Sequence, residues 1–163
     1  MKYYWHYEYP IGSIGVAEAD GHIVKVFFVQ KDQKSDRTRQ SLEGFEKRET
    51  PLVKKCAKQL GEYFDGKRLE FDLPLFFEGT DFQRKIWALL LTIPYGKTRS
   101  YGDIAKQAGT PKGARAVGLA NNRNPIAIIC PCHRVIGSDG SLVGYAGGLA
   151  MKQQLLDMEA GKK

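Results

Sequence analysis

Pro131-Cys132-His133-Arg134-Val135 sets a thiol directly beside an imidazole and a guanidinium. Thiol and imidazole are the minimum kit for an activated cysteine nucleophile. The thiolate is the reactive form, and an ordinary cysteine, with a pKa of about 8.5, is only slightly ionised at neutral pH; an adjacent cation lowers that value by favouring the anion. His133 and Arg134 are the neighbours placed to do so. In an extended strand, however, successive side chains point to opposite faces. Pro131, with its fixed φ, points to an irregular segment at the end of the apolar strand Ile126-Ala127-Ile128-Ile129. The expected Cys-His coupling is therefore indirect, through one water. The alternative is a buried structural cysteine beside a surface histidine, since free cysteine is among the most buried residue types.

The chain that must position this kit has 163 residues, enough for one ordinary domain or two small ones. Lys plus Arg is 25 against 18 for Asp plus Glu, and the formal charge of +7 suits a polyanionic partner, while charge alone leaves a merely soluble basic surface equally open. Cys56, Cys130 and Cys132 make an odd set without disulfide-framework spacing, which points to a reducing cytoplasm. No apolar run approaches the roughly 20 residues of a membrane span, and Met1 to Trp5 lacks the apolar core of a signal peptide. No membrane association is expected.

In the first half, Tyr3 to Tyr9, Gly12 to Glu18 and His22 to Val29 are rich in aromatic and β-branched residues, and Asp20-Gly21 supplies a hairpin turn. They predict a small antiparallel sheet. Lys31 to Ser41 is charged and aperiodic and reads as a loop. Thr50-Pro51 then caps a helix with Leu52, Cys56, Leu60 and Phe64 along one face, so Cys56 belongs to the core. Pro74 to Gly79 marks a boundary. The expected domains are 1–76 and 77–163.

Helix signals dominate beyond it. Thr80 or Asp81 caps a helix carrying Phe82, Ile86, Leu89 and Ile93, stopped by Pro94-Tyr95-Gly96. Ser100 and Asp103 fit a capping pattern for a short helix through Ala108, and Thr110-Pro111 opens another to about Asn121. Two short helices with Gly109 between them form a helix-turn-helix pattern. In the second helix Ala114, Ala116, Gly118 and Ala120 alternate with Arg115, Val117 and Leu119. One large cation among small side chains suits close docking to a sugar-phosphate backbone or a narrow groove and reads base edges poorly. Lys97, Arg99, Lys106, Lys112 and Arg123 are available to neutralise phosphates. Close packing of two helices through Ala and Gly is the competing reading. Val135-Ile136 and Leu142-Val143 flank Gly137 to Ser141 as a hairpin wing. Tyr145-Ala146-Gly147-Gly148 leads into a last helix with Glu159 on or beside the apolar face of Leu155 and Leu156, either paired with an imidazole or at a solvated edge.

Together, Asn124-Pro125, Pro131 to Val135, Ala114 to Gly118, the Phe82-Gln83 to Ile104-Ala105 run and Tyr145 to Leu149 resemble the methylated-DNA-protein-cysteine methyltransferase family, the O6-alkylguanine-DNA alkyltransferases. The likeness covers about residues 80 to 160; the first half resembles the family's ribonuclease-H-like domain only in general plan. The resemblance implies an α+β fold, with an N-terminal ribonuclease-H-like domain, a small antiparallel sheet with a helix, before a C-terminal winged helix-turn-helix alkyltransferase domain. It implies DNA repair by direct reversal in one irreversible turnover, without cofactor or metal, by a monomer acting on double-stranded DNA that contains alkylated guanine. Cys132 would accept the alkyl group from O6 of guanine or, less efficiently, O4 of thymine. His133 would be its water-mediated base, Glu159 would orient the imidazole, and Asn124 would buttress the turn. Tyr101 would crowd the adjacent phosphate and donate to the leaving base. Arg115 would fill the stack after base flipping through the minor groove, with Ala114, Ala116, Gly118 and Arg123 against DNA. Val135, Tyr145, Ala146, Gly147 and Gly148 would line the base pocket. Ala146 stands where several members have Ser, and the zinc site of some members lacks its cysteines, since the first fifty residues hold His6 and His22 and no Cys. Cys130 reads as a second, structural thiol.

Three other readings fit less of the chain. A non-catalytic alkyl-lesion sensor would not need Cys132, and related proteins of that kind have Trp there. A Cys-His hydrolase needs an oxyanion hole and a separately placed histidine. A zinc module built on Cys130, Cys132 and His133 has crowded ligands and lacks a fourth.

Overall fold

The computed structural model describes residues 1–29, 42–145 and 147–161, so the loop expected over Lys31 to Ser41 and the pocket residue Ala146 lie outside the described residues. Contacts divide the chain into Met1–Phe77 and Glu78–Lys163.

In the first unit, β1 (Lys2–Tyr9), β2 (Gly12–Ala19) and β3 (His22–Phe28) form an antiparallel meander, with two-residue β4 (Glu46–Lys47) parallel to β1 and the order β3-β2-β1-β4. Asp20 (φ 51°) and Gly21 (φ 80°) both take left-handed conformations, the geometry of the expected hairpin turn. A Cβ on Gly15 would strike the Phe27 ring on the neighbouring strand, so glycine is what lets that ring lie across β2. Helix α1 (Pro51–Phe64) starts with the Thr50 side chain accepting from the Val53 N–H. It buries Val53, Cys56, Leu60 and Tyr63 in the same core as Ile14, Val16, Ile23 and Val26. The stripe keeps Cys56 and Leu60 of the expected row but takes Val53 and Tyr63 in place of its end residues Leu52 and Phe64, which are only half-buried. A row of strict i+4 steps drifts around a 3.6-residue helix, and mixed three- and four-residue steps keep facing the sheet. Cys56 is wholly buried, which pushes its thiol up to about 12. The outer edge of β3 is covered by Pro74 to Phe76, with Ile23 N–H to Pro74 C=O at 2.8 Å and Phe76 N–H to Ile23 C=O at 3.1 Å.

In the second unit, α2 (Asp81–Leu90) carries a capping box between Thr80 and Gln83, and α3 (Tyr101–Gln107) one between Ser100 and Asp103. Helix α2 turns Ile86, Trp87 and Leu90 inward, while Phe82 and Leu89 are half-buried, and it ends before the proline signal at Pro94. Helix α4 (Ala114–Asn122) starts later than expected, because Thr110 to Gly113 is a turn closed by Gly113 N–H to Thr110 C=O at 2.7 Å. The apolar run 126–129 is a buried turn rather than a strand: Cys130 N–H reaches Ile126 C=O at 3.0 Å and Ile128 takes φ 70°. A one-turn 3₁₀ helix (Cys132–Arg134) follows, then β6 (Val135–Ile136), which pairs in parallel with β5 (Arg99–Ser100). Leu142-Val143 makes no strand, so the expected hairpin is a turn closed by Gly137 N–H to Ser141 C=O at 2.8 Å. Helix α5 (Leu149–Glu159) ends the described core. No helix among the described residues is long and apolar enough to cross a membrane.

Candidate active site

Cys132, His133 and Arg134 occupy consecutive positions of the 3₁₀ turn, and all three are buried. Because i and i+1 diverge on such a turn, His133 is directed away from the thiol and toward α5. Its Nε2 lies 2.7 Å from Glu159 Oε2, so the helix-edge carboxylate is buried and paired rather than solvated. Arg134 holds the same carboxylate at two points, Nε to Oε1 at 2.8 Å and Nη2 to Oε2 at 2.9 Å, and donates from Nη1 to Ile93 C=O at 2.7 Å. A carboxylate can only accept here, which makes Nε2 the protonated nitrogen of a neutral His133. Nδ1 is then the basic lone pair, and it is buried without a hydrogen-bond partner among the described residues.

The electrostatics correct one expectation. The Cys132 thiol is pushed up, not down, because burial outweighs the opposing pull of the Asn124 amide and the Lys152 charge. Arg134, expected as a cation for the thiol, spends its guanidinium on Glu159 and Ile93. His133 is held below its ordinary 6.5, first by burial and further by Arg134 and Lys152, against the pull of Glu159. At neutral pH the resting site therefore contains a neutral thiol and a neutral imidazole. A thiolate of high pKa is scarce but intrinsically a stronger nucleophile.

Asn124 grips the turn before the cysteine. Its Nδ2 donates to Cys130 C=O at 2.8 Å and Ile126 C=O at 3.2 Å, and its Oδ1 accepts from Ile126 N–H at 3.0 Å. Left-handed Ile128 sits inside this clamp, a strained conformation for a β-branched residue that the surrounding bonds hold in place. Cys130 is fully buried with its Sγ against Trp87 C=O at 3.6 Å, a structural environment that raises its pKa well above the ordinary value. Tyr101 donates to Val143 C=O at 3.0 Å; burial and the neighbouring Cys132 raise its pKa, so the phenol stays a donor.

Among the DNA-facing candidates, Ala114, Arg115, Ala116 and Arg123 are exposed on α4 or at its end, and Gly118 is half-buried beside the Tyr101 ring. Of the pocket candidates, Val135 is buried immediately after the 3₁₀ turn. Tyr145, Gly147 and Gly148 form the turn into α5, with Gly148 N–H donating to Tyr145 C=O at 2.9 Å.

Sequence reasoning missed two buried polar residues here. Lys152 is fully buried, with Nζ 2.9 Å from Val143 C=O and 5.9 Å from the Tyr101 ring centroid. Its signal was a lysine at i, i+3 and i+7 register with Leu155 and Glu159 on α5. Asn121, on the buried stripe of α4 with Val117 and Ala120, donates from Nδ2 to Cys132 C=O at 3.3 Å. Trp87 Nε1 bonds Ala120 C=O at 2.8 Å and so fixes this end of α4 against α2.

Known proteins resemble this chain along nearly its whole length. The family model for the 6-O-methylguanine DNA methyltransferase DNA binding domain matches residues 81–161, and that for its ribonuclease-like domain matches residues 2–77. A methylated-DNA-protein-cysteine methyltransferase of Methanosarcina acetivorans is 48% identical over 96% of this chain and 97% of its own length. The constitutive one of Bacillus subtilis is 45% identical over 98% of this chain and 96% of its own. The crystal structure of Mycobacterium tuberculosis O6-methylguanine methyltransferase superposes with a TM-score of 0.87 at 44% identity, covering 100% of this chain and 95% of that one. Its DNA complex gives a TM-score of 0.86 at 43% identity, covering 98% of this chain and 93% of that one. Matched by both domain models and by relatives along nearly its whole length, the chain belongs to the 6-O-methylguanine DNA methyltransferase family.

Proposed function

We propose that Cys132 is the residue on which this DNA-repair methyltransferase takes the alkyl group, from O6 of guanine or, less efficiently, O4 of thymine, once and irreversibly. The observation that carries the reading is the buried His133, Glu159 and Arg134 network next in the chain to the buried Cys132 thiol, with the His133 Nδ1 lone pair left without a hydrogen-bond partner among the described residues. The thiol proton passes through one water to Nδ1. The thiolate attacks the alkyl carbon in line with the C–O bond; an S–C bond forms, the C–O bond breaks, and its electron pair leaves on the base. The imidazolium proton returns to the base, so a normal guanine and a thioether result. Glu159 offsets the imidazolium charge and Lys152 the thiolate charge during this passage. Tyr101 gives up its bond to Val143 C=O and donates to the leaving base. A thioether is neither hydrolysed like a thioester nor reduced like a disulfide, so the protein is consumed.

A duplex hides the O6 substituent, and extruding the nucleotide costs a few kcal/mol, least for a poorly paired base. Exposed Arg115 among Ala114, Ala116 and Gly118 on α4 supports docking of this helix in the minor groove with Arg115 filling the vacated stack, and Arg123 on the phosphates. The pocket for the flipped base is assigned to Val135, Tyr145, Gly147 and Gly148, with Asn124 holding its floor. Residues 1–76 serve as the ribonuclease-H-like domain and 77–163 as the DNA-binding and catalytic domain. Three free thiols support a reducing cytoplasm and a formal charge of +7 supports a DNA partner; the protein is assigned as a monomer.

Intact and peptide mass spectrometry after incubation with duplex O6-methylguanine tests the reading. One CH₂ gained on the Cys132 peptide, once per protein and absent in Cys132→Ala, is expected. Bound DNA without mass gain would make the protein a lesion sensor.

A further inference from the structure

The Asn121 amide has one end committed and one end open. Its Nδ2 donates to the carbonyl of Cys132, the reacting residue itself, at 3.3 Å. Its Oδ1 is buried with no hydrogen-bond partner among the described residues, on a residue only 2% exposed. Exchanging the two ends would set the amide oxygen against the Cys132 carbonyl oxygen, so the bond pins the orientation and leaves Oδ1 as the open acceptor. The same amide lies against the Tyr101 hydroxyl, the group assigned to the leaving base. A buried acceptor without a donor is costly, and the great majority of such groups find partners. Here the amide that carries the open acceptor touches both residues that the reading above places at the reacting base.

O6-alkylguanine offers such an acceptor one donor. Alkylation at O6 removes the proton from N1, and N3 and N7 only accept, which leaves the exocyclic 2-amino group as the base's sole N–H donor. O4-alkylthymine has none, because its N3 is likewise deprotonated and its remaining oxygen accepts. We propose that Asn121 Oδ1 takes a hydrogen bond from the guanine 2-amino group and is a specificity-determining residue that favours alkylated guanine over alkylated thymine. A site built around a substrate N–H rejects an analogue lacking it because its own buried polar group stays unpaired. Asn121 also ties substrate choice to docking, since it sits on the buried face of α4 while Arg115 occupies the exposed face six residues earlier.

The proposal rests on the assignment of Cys132 as acceptor, and the test separates the two. Single-turnover rates are measured on duplexes containing O6-methylguanine, O6-methylhypoxanthine, which lacks only the 2-amino group, and O4-methylthymine, with wild type, Asn121→Leu and Asn121→Ala. Wild type is expected to prefer the guanine lesion over the hypoxanthine lesion by about tenfold, the effect of one buried hydrogen bond. Both variants are expected to lose most of that preference, because loss of Oδ1 slows the guanine lesion alone whereas loss of the Nδ2 bond to Cys132 acts on all three lesions alike. Differences in how the lesions pair with the opposite strand cancel between wild type and variant. Equal slowing on all three lesions would reduce Asn121 to a support for the Cys132 carbonyl and overturn the proposal. So would a wild type indifferent to the 2-amino group, a result that needs no variant to fold. Absence of methyl on Cys132 with every substrate would overturn the acceptor assignment instead.

Discussion

Arg134 and His133 share the Glu159 carboxylate, Arg134 with Nε to Oε1 at 2.8 Å and Nη2 to Oε2 at 2.9 Å, and the His133 N–H with the same Oε2 at 2.7 Å. One buried carboxylate thus holds the imidazole in a single tautomer and neutralises a guanidinium. The guanidinium balances the carboxylate at rest, so the imidazole remains neutral and able to take a proton.

Arg134→Met is expected to destabilise the fold by about 3–5 kcal/mol, because it strands Glu159 as a buried charge. The freed carboxylate should also raise the His133 pKa, since the Arg134 contribution to holding it down disappears. Urea unfolding and the imidazole proton titration by NMR check the two effects; an unchanged midpoint would mean that the pair is solvated in solution.

The thiol titration of Cys132 should lie above the ordinary value of about 8.5. Iodoacetamide labelling of the Cys132 peptide is then slow at neutral pH and accelerates with alkali. Since the folded pKa is raised, this group contributes stability fully below the unfolded pKa and loses it as pH rises through the folded one. Lys152→Met removes a favourable charge and should move the labelling profile further up, while slowing alkyl transfer. A profile centred below the ordinary value would contradict the burial argument.

His133 titrates with the opposite sign. Its folded pKa is below 6.5, so the unfolded chain takes the proton first as pH falls. Stability from this group is present above about pH 6.5 and is lost progressively below it. Urea midpoints of wild type and His133→Gln measured from neutral to mildly acidic pH should converge as acid is added, and parallel curves would assign the acid loss elsewhere.

Asn124→Ala removes three hydrogen bonds from the 126–130 turn. With Ile128 no longer braced at φ 70°, a loss of about 1–3 kcal/mol is expected together with slower transfer. Amide hydrogen exchange across residues 126–132 should rise locally; global loss without local change would show that the turn is held by other contacts.

Arg115→Ala should slow transfer from duplex O6-methylguanine more than transfer from the free alkylated base, because only the duplex reaction bears the cost of extrusion. Single-turnover rates on both substrates measure the ratio, and equal losses would remove Arg115 from the flipping step.

Local chemistry was legible in the sequence wherever the signal is carried by near neighbours. The Asp20-Gly21 turn, the Thr50, Thr80 and Ser100 caps and the Cys132-His133 pair all depend on groups a few residues apart, and backbone geometry leaves them little choice. Errors gathered where near neighbours compete or where the deciding partner is remote. Thr110-Pro111 carries a helix-start signal, yet the helix begins at Ala114, and Val135-Ile136 pairs with Arg99-Ser100 instead of with Leu142-Val143. The charge balance of the site could be decided only in three dimensions. Arg134 is beside Cys132 in the chain but faces Glu159, 25 residues away, whereas Lys152, 20 residues from the thiol, supplies the cation that the thiol feels. Desolvation by the packed core then outweighs that cation and sets the direction of the thiol's pKa. A residue's burial is the summed effect of every element packed around it, which neighbouring letters do not encode, so the sequence determined which groups could react and the tertiary structure decided their protonation states.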